Sequence, residues 1–534
     1  MNDRGRWTHV CALEDILPDT GVCARVGKGQ VAVFLVRDAL HAIGNLDPAS
    51  GANVLSRGIV GDLGGEVVVA SPLYKHHYSL VSGRCLEDAD LSVPVYMARQ
   101  VDGQVWVRTA PLHLKRPAGP RRLVLVGCGM AGTRLIEELL ERAPGAYEIT
   151  VFGTDGAGGY NRVLLSPFLA GDKARADVVT HPPAWFEERG ITLHASDPVQ
   201  SIDRVRRIVR SASGLAVPYD RLVLATGSTP VVLPVAGADL PGVRTFRDLD
   251  DVDAMLEAST RHPAAVVVGA GLLGLEAASG LLRRGMSVTV VHHSATLMNR
   301  QLDESASALL HQQLAARGME FRLGAEVSAI LGDVRVQGVR LGDGSELPAD
   351  LVVMAVGTRP DIALAQSAGL HCERGVLVDD TLLSFDPAIY AIGECVQHRK
   401  QTFGLVAPLW EQAAVCASHL AEQGRGRYFG SEPHTQLKVA GVAVFSAGDF
   451  RGGPDAEALV LRDPRRGIYK KLVVRNNRLA GAVLVGDLAD SGWYVDLIRE
   501  ARDVGAMRDR LLFGPAAGGT AEGAAGHTAS DRAP

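Results

Sequence analysis

The chain has 534 residues, 47% of them hydrophobic and 22% charged, the balance of a soluble globular protein. Its length exceeds what one hydrophobic core supports, so about three or four domains are expected. A net charge of −5 supplies no basic surface of the kind that nucleic acid or anionic lipid demands.

The N-terminal MNDRGRWTHV lacks the apolar core of a secretory signal, and the charge-free stretch Leu222 to Ala238 is broken by Gly227, Pro230 and Pro234. No membrane helix is expected from either, and the protein is expected in the cytoplasm. Seven cysteines, Cys11, Cys23, Cys85, Cys128, Cys372, Cys395 and Cys416, form no C-x-x-C or C-x-C pair. That argues against zinc, a cluster or a dithiol motif and for scattered reduced thiols.

Residues 1–110 carry short strand-like runs, VAVFLV (Val31 to Val36), EVVVA (Glu66 to Ala70) and Val93 to Val107, the last interrupted by the hairpin signal Asp102-Gly103. A small all-β sandwich or barrel is expected. Pro111 to Pro120, PLHLKRPAGP, sets three prolines and two basic residues between folded patterns and reads as a linker.

RRLVLVGCGMAG, Arg121 to Gly132, follows. Arg122 to Val126 reads as a buried parallel strand, and Gly127-x-Gly129-x-x-Gly132 opens a helix expected from near Thr133 to about Glu141. A dinucleotide needs this geometry. The first Gly allows the tight turn, the second lets a pyrophosphate approach the backbone, and the third packs helix on strand. Backbone N–H groups at the helix start, including those of Met130 and Ala131, then face the phosphates. One such turn also closes ordinary βα units. The pattern recurs, however, at Gly269, Gly271 and Gly274, after the strand Ala265 to Val268 and around Leu272 and Leu273. Two nucleotide folds in one chain point to electrons passing between two nucleotides.

The strand Tyr147 to Gly153 should end near an acid for ribose hydroxyls. Thr154 stands nearest and Asp155 next, and Asp155 is the candidate. Tyr219 to Pro230 leaves a strand into Ala225-Thr226-Gly227. The region from Phe246 to Gly369 reads as an inserted domain closed by Gly357-Thr358-Arg359-Pro360. Within it Glu276 lies two residues past the third Gly, either facing a ligand or serving the helix through a cap or salt bridge. His292 follows the strand ending at Val291, where an acid would select NADH. With neither an acid there nor an adjacent Arg, NADH versus NADPH is open.

Ala388 to His398 is a strand ending in Gly393-Glu394, and Phe403 to Ala421 reads as a helix with Pro408, Glu411 and Gln412 near its start. His434 to Leu512 holds strands, a hairpin at Asn476-Asn477 and a closing helix from Trp493 to Ala506. The Gly/Ala-rich end, 513–534, reads as a disordered tail.

The stretch NLDPASGANVLSRGIVGDLGGEVVVASPLYKHHYSLVSGRCLEDADLSVPVY resembles the small subunit of NAD(P)H-dependent nitrite reductase, a Rieske-type fold. The resemblance places the ligand positions of a Rieske centre, C-x-H and C-x-x-H, on Asn45, Asp47, Ser71 and Tyr74. None is a Rieske ligand, and His76 and His77 have no cysteine partners. No iron–sulfur cluster and no metal are therefore expected, and the domain should serve docking or assembly.

The order GxGxxG, Ala-Thr-Gly, GxGxxG, Gly-Glu resembles flavoproteins with two dinucleotide domains, and Tyr160 to Asp172 (YNRVLLSPFLAGD) resembles the flavin-passing segment of the nitrite reductase large subunit. The resemblance implies FAD held by Gly127, Gly129, Gly132, Asp155, Arg162, Thr226, Gly227, Gly393 and Glu394. It implies NADH or NADPH held by Gly269, Gly271, Gly274, His292 and Gly357, with the Glu276 carboxylate toward the nicotinamide. Disulfide reductases carry C-x-x-x-x-C in the flavin-passing segment; here none is present, so electrons must leave for an external acceptor.

The fold class expected is multidomain. An N-terminal all-β Rieske-like domain (1–110) and a linker (111–120) precede an α/β flavoprotein core: FAD-binding parts 121–245 and 370–430 around an NAD(P)H-binding domain, 246–369. An α+β interface domain, 431–512, of the kind that forms homodimers in relatives, and the tail complete it. The large subunit continues into a cysteine-rich domain and a sirohaem half whose cluster cysteines are missing here. The expected acceptor is thus a metal-containing nitrite or nitrate reductase subunit. The alternatives are a free-standing NAD(P)H oxidase or dye reductase, and a non-enzymatic redox-sensing or assembly protein.

Overall fold

A computed structural model describes residues 7–36, 39–63, 66–88, 91–112, 120–421, 426–431, 434–439 and 441–515. Most of the expected linker (113–119) and most of the tail (516–534) lie outside the described residues. The chain divides into two compact units: Met1–Tyr160, His181–Ser228 and Pro360–Gly430 form the first, and Asn161–Thr180, Thr229–Arg359 and Ser431–Pro534 the second. Among the described residues no helix is long and apolar enough to cross a membrane.

In the first unit the N-terminal region is all β. Gly29–Val36 pairs antiparallel with Gly21–Val26 and Ala39–Gly44. Its side chains alternate between two cores, as a two-residue period requires: Val31 and Val33 enter one with Val105 and Val107, and Ala32 and Phe34 the other with Ile43, Leu55 and Tyr78. A strand buried on both faces reads as the continuous apolar run VAVFLV. The Asp102-Gly103 hairpin is present, with both residues at positive φ (49° and 73°), as the two-residue turn that matches strand twist requires.

The rest of this unit is built on a five-stranded parallel sheet in the order Thr192–His194, Tyr147–Phe152, Arg121–Val126, Arg221–Leu224, Ile389–Ala391. Chain direction across the sheet reverses at Arg121–Val126, and such a switch point opens a crevice at the carboxyl end of the strand. One face packs under the helices Met130–Arg142 and Val406–Leu420 through Leu135, Leu139, Leu409, Ala413 and Cys416. The first helix begins at Met130, three residues before the position expected from Thr133, because the extended Gly129 (φ −83°, ψ −174°) is its N-cap. Gly132 thus lies inside the first turn. The later helix runs Val406–Leu420, inside the expected Phe403 to Ala421.

The second unit repeats the plan with the order Val243–Thr245, Leu351–Met354, Ala264–Val268, Ser287–His292, Glu320–Leu323, reversing at Ala264–Val268. The segment Asn161–Thr180, assigned from sequence to 121–245, belongs to this unit. Its helix Leu165–Ala170 lies on the helix Leu272–Arg283, with Leu169 so close over Gly280 that a Cβ there would come within 2.6 Å of Leu169 Cγ.

The C-terminal part of this unit is a five-stranded antiparallel sheet with a hairpin at Asn476 and Asn477 (φ 51° and 56°). The closing helix is shorter than the expected Trp493 to Ala506: it spans Ser491–Arg499, and a 3-10 stretch, Gly505–Phe513, follows. The buried Val504 sends its N–H to the Asn477 carbonyl at 2.7 Å. Ala501 takes φ 47° at the point where the chain leaves the helix toward the hairpin.

Candidate functional site

The two Gly-rich turns are built alike. Gly127 has φ 111°, and a Cβ there would sit 2.1 Å from the Ala225 carbonyl oxygen; a Cβ on Gly132 would sit 2.4 Å from the Gly127 oxygen. Both must be glycine for the chain to close on itself. A Cβ on Gly129 meets nothing within 4 Å, so open ground lies above a helix start whose first N–H groups have no intrahelical partner. In the second turn a Cβ on Gly269 (φ 113°) would sit 2.4 Å from the Ala355 oxygen and one on Gly274 2.0 Å from the Gly269 oxygen, and Gly271 again faces open space. The supporting bonds correspond as well: Gly127 N–H to Phe152 O and Gly269 N–H to Val291 O are both 2.8 Å. Each cradle fits a pyrophosphate on a helix N-terminus.

Around the first turn three other segments converge. Thr226 Oγ1 donates to the Asp361 carbonyl at 2.7 Å, and the Gly227 carbonyl accepts from Asp361 N–H at 2.9 Å. Gly393 (φ 87°) would bring a Cβ within 3.1 Å of Ala131 Cβ, which sets the Gly393-Glu394 turn against the Gly-rich turn. The Gly393 N–H donates to Oε1 of the fully buried Gln412 at 2.7 Å, and Glu394 accepts from Ser228 Oγ at 2.9 Å. Half-buried Asp155 accepts from the Ala157 N–H at 3.3 Å. Burial, and next the charge of Asp155, push the Cys128 thiol up to about 12. Cys128 therefore stays protonated and is no thiolate nucleophile.

In the second unit Leu272 and Leu273 open the helix Leu272–Arg283, and Glu276 lies one turn further. Ser166 Oγ donates to Glu276 Oε2 at 2.5 Å, and burial of the carboxyl raises its pKa against the lowering effect of that bond. Arg162 is in this unit too, at the start of the short turn Arg162–Leu164 capped by Asn161. His292 is the last residue of its strand, not the first beyond it. Its Nδ1 accepts from the Ala270 N–H at 3.3 Å, and burial, then His293, lower its pKa to about 4, so the imidazole is neutral near pH 7. Gly357 adopts φ 124° and faces open space.

Sequence reasoning did not single out Ser166 as a site residue; its partner is 110 positions away and no local spacing announces the pair. Gln412 had a signal, a polar residue on an apolar helix face.

The N-terminal region tests the Rieske positions directly. Asn45, Asp47 and Ser71 are buried, and both oxygens of Asp47 are in use: Oδ2 accepts from Ser71 Oγ (2.7 Å) and Ser50 Oγ (2.9 Å), Oδ1 from Tyr78 OH (2.7 Å) and Ala49 N–H (3.0 Å). Asn45 Oδ1 accepts from Ser56 N–H at 2.7 Å. Tyr74 is 64% exposed, so of the four positions the structure joins only Asp47 and Ser71 by a hydrogen bond. Nearby, His77 is held by Glu87 at 2.5 Å. A set without thiolates, whose carboxylate is saturated with donors, does not fit a [2Fe–2S] cluster.

Two parallel sheets, each reversing at a Gly-rich turn that opens a helix, define a core for two dinucleotides. Residues 121–417 match the pyridine nucleotide-disulphide oxidoreductase family, 6–108 the Rieske-like [2Fe-2S] domain and 433–502 the rubredoxin NAD+ reductase C-terminal domain. The chain belongs to the pyridine nucleotide-disulphide oxidoreductase family, which implies FAD and NAD(P)H.

Among curated proteins it is 46% identical over 386 residues to the nitrite reductase [NAD(P)H] of Bacillus subtilis, covering 72% of this chain and 48% of that protein. It is 40% identical over 392 residues to the assimilatory nitrate reductase electron transfer subunit of Bacillus subtilis, covering 73% and 51%. The chain thus spans about half the length of these relatives. Among solved structures it resembles a ferredoxin reductase from Rhodopseudomonas palustris (TM-score 0.65, 27% identity, 73% of this chain and 100% of that one). It also resembles the covalent putidaredoxin reductase–putidaredoxin complex (TM-score 0.66, 25% identity, 72% and 94%).

Proposed function

We propose that the chain is an FAD-dependent NAD(P)H oxidoreductase that passes electrons from NAD(P)H through FAD to an external acceptor, as the electron-transfer component of assimilatory nitrite or nitrate reduction. The observation that carries this reading is the duplicated cradle: two Gly-rich turns with the same close approaches and the same open middle glycine. In this reading Gly127, Gly129 and Gly132, with Asp155, Thr226, Gly227, Gly393 and Glu394, hold FAD, and Gly269, Gly271 and Gly274 hold the nicotinamide nucleotide.

Bound flavin supplies acceptance of a hydride and release of its electrons. The chain's own work is binding and alignment of the two rings, an orientation effect. Tyr160 to Asp172 holds no cysteine pair, and the thiols of Cys128, Cys395 and Cys416 are all raised in pKa by burial. Electrons are therefore assigned to an acceptor outside the chain, a metal-containing nitrite or nitrate reductase subunit; the two Bacillus subtilis relatives support that choice.

The Rieske-like domain acts without a cluster, as a docking element; the saturated carboxylate of Asp47 supports this. Residues 431–512 are assigned to homodimer formation, and the protein to the cytoplasm. Neutral His292 offers neither an acid for a 2′-hydroxyl pair nor a cation for a 2′-phosphate, so both nucleotides are accepted.

The test is the visible spectrum of the purified protein and its anaerobic mixing with NADH and with NADPH. A flavin spectrum without iron–sulfur absorbance, bleached within seconds, is expected. A flavin that stays oxidised with both nucleotides would end the proposal.

A further inference from the structure

Glu276 is a half-buried carboxylate with one of its two oxygens engaged. Ser166 Oγ donates to Oε2 at 2.5 Å, while Oε1 has no hydrogen-bond partner among the described residues. The pair is held from several sides. Leu169, one turn beyond Ser166, rests on Gly280, one turn beyond Glu276, closely enough to exclude a Cβ there. Arg284 Nε donates to the Leu169 carbonyl at 2.7 Å and its Nη2 to the Phe168 carbonyl at 3.2 Å. Arg283 clamps both oxygens of Asp172 at 2.5 and 2.6 Å. The short helix carrying Ser166 is thus fastened to the helix carrying Glu276.

A carboxylate in that state has a fixed orientation. It also has one acceptor oxygen to offer, beside a turn whose Gly271 faces open space. An amide N–H donor suits it, because a hydrogen bond to a carboxylate oxygen is stronger than one to a neutral acceptor. The nicotinamide carboxamide is such a donor.

We infer that Ser166 is a positioning residue: its hydroxyl fixes one oxygen of Glu276 so that the other meets the carboxamide of the nicotinamide ring and sets the ring's angle. The inference rests on the reading of Gly269 to Gly274 as the NAD(P)H cradle.

The full chain is titrated calorimetrically with two probes: tetrahydro-NAD, which keeps the carboxamide but gives up no hydride, and ADP-ribose, which lacks the nicotinamide. Ser166→Ala should bind tetrahydro-NAD about tenfold more weakly than wild type with ADP-ribose unchanged. Ser166→Thr, which keeps the hydroxyl, should restore most of the loss. In anaerobic stopped-flow Ser166→Ala should lower the limiting rate of flavin bleaching and raise the nucleotide concentration needed for half of it. Equal loss for both probes, or no loss for either, overturns the positioning role. Should Ser166→Ala not fold, Glu276→Gln, which keeps the side-chain shape, must show the same selective loss. Failure of wild type to bind ADP-ribose at all would instead sink the cradle reading beneath it.

Discussion

Ser71 and Asp47 meet in the N-terminal domain at 2.7 Å, hydroxyl to carboxylate, across 24 residues of chain, at two of the positions where a Rieske fold would hold iron. Burial alone would raise the pKa of Asp47; the hydroxyls of Ser71, Tyr78 and Ser50 and the Ala49 amide together hold it below the usual carboxylate range. The two loops are tied by a hydrogen-bonded anion.

Removing that anion leaves several buried donors without an acceptor, each costing about 1–3 kcal/mol. Asp47→Ala should destabilise the N-terminal domain by about 3 kcal/mol, seen as an early transition in urea denaturation of the full chain, with Asp47→Asn milder. Metal analysis of the wild-type protein should find no stoichiometric iron. An iron signal near two per chain would refute the cluster-free reading.

Within each cradle the glycines should separate by role. Gly129→Ala and Gly271→Ala add a methyl to open ground, so both variants should keep their melting temperatures. The first should lose FAD on gel filtration, and the second should keep FAD but need about tenfold more nucleotide for half-maximal bleaching. Gly132→Ala and Gly274→Ala drive a methyl into backbone at 2.4 and 2.0 Å and should fold poorly, by roughly 3 kcal/mol or more. A Gly271→Ala protein with unchanged nucleotide dependence would remove the second cradle from the mechanism.

His292 makes stability depend on pH. Its ordinary pKa of 6.5 falls to about 4 in the fold, so between those values the unfolded chain carries a proton that the folded chain does not. Stability therefore declines as pH falls through that window, by roughly 3 kcal/mol at most. Denaturation midpoints at pH 7 and pH 5 should differ less in His292→Gln than in wild type. An identical slope in the two proteins would show that His292 is not the group responsible.

Gln412 holds the Gly393 N–H from a fully buried position. Gln412→Leu keeps the packing but strands that donor, and should cost about 1–3 kcal/mol while loosening the Gly393-Glu394 turn. Weakened flavin retention together with lowered stability is the expected result, and flavin affinity equal to wild type would detach the turn from cofactor binding.

The parts legible in the sequence were those set by local chemistry. The glycines of both turns, the Asp102-Gly103 and Asn476-Asn477 hairpins and the run Val31 to Val36 follow from backbone sterics and side-chain period. The helix boundaries were less legible. The helix after Gly127 starts at Met130 because an extended glycine caps it, and the helix at Trp493 stops at Arg499, after which Val504 bonds across to Asn477. Tyr74 fell in a plausible register with Asn45, Asp47 and Ser71, yet points to solvent. Ser166 and Glu276 are joined only through the packing of two helices.

The first parallel sheet is closed by a late strand. Ile389–Ala391 pairs with Arg221–Leu224, and the whole second dinucleotide fold lies between them in the chain. On the ribosome the open edge of Arg221–Leu224 must therefore wait while that insert is made, on the order of ten seconds at ~5–20 residues per second. An exposed strand edge invites pairing with other chains. The nascent protein is thus most vulnerable to aggregation in that interval, and slowing translation within the insert should lower the yield more than slowing it after residue 391.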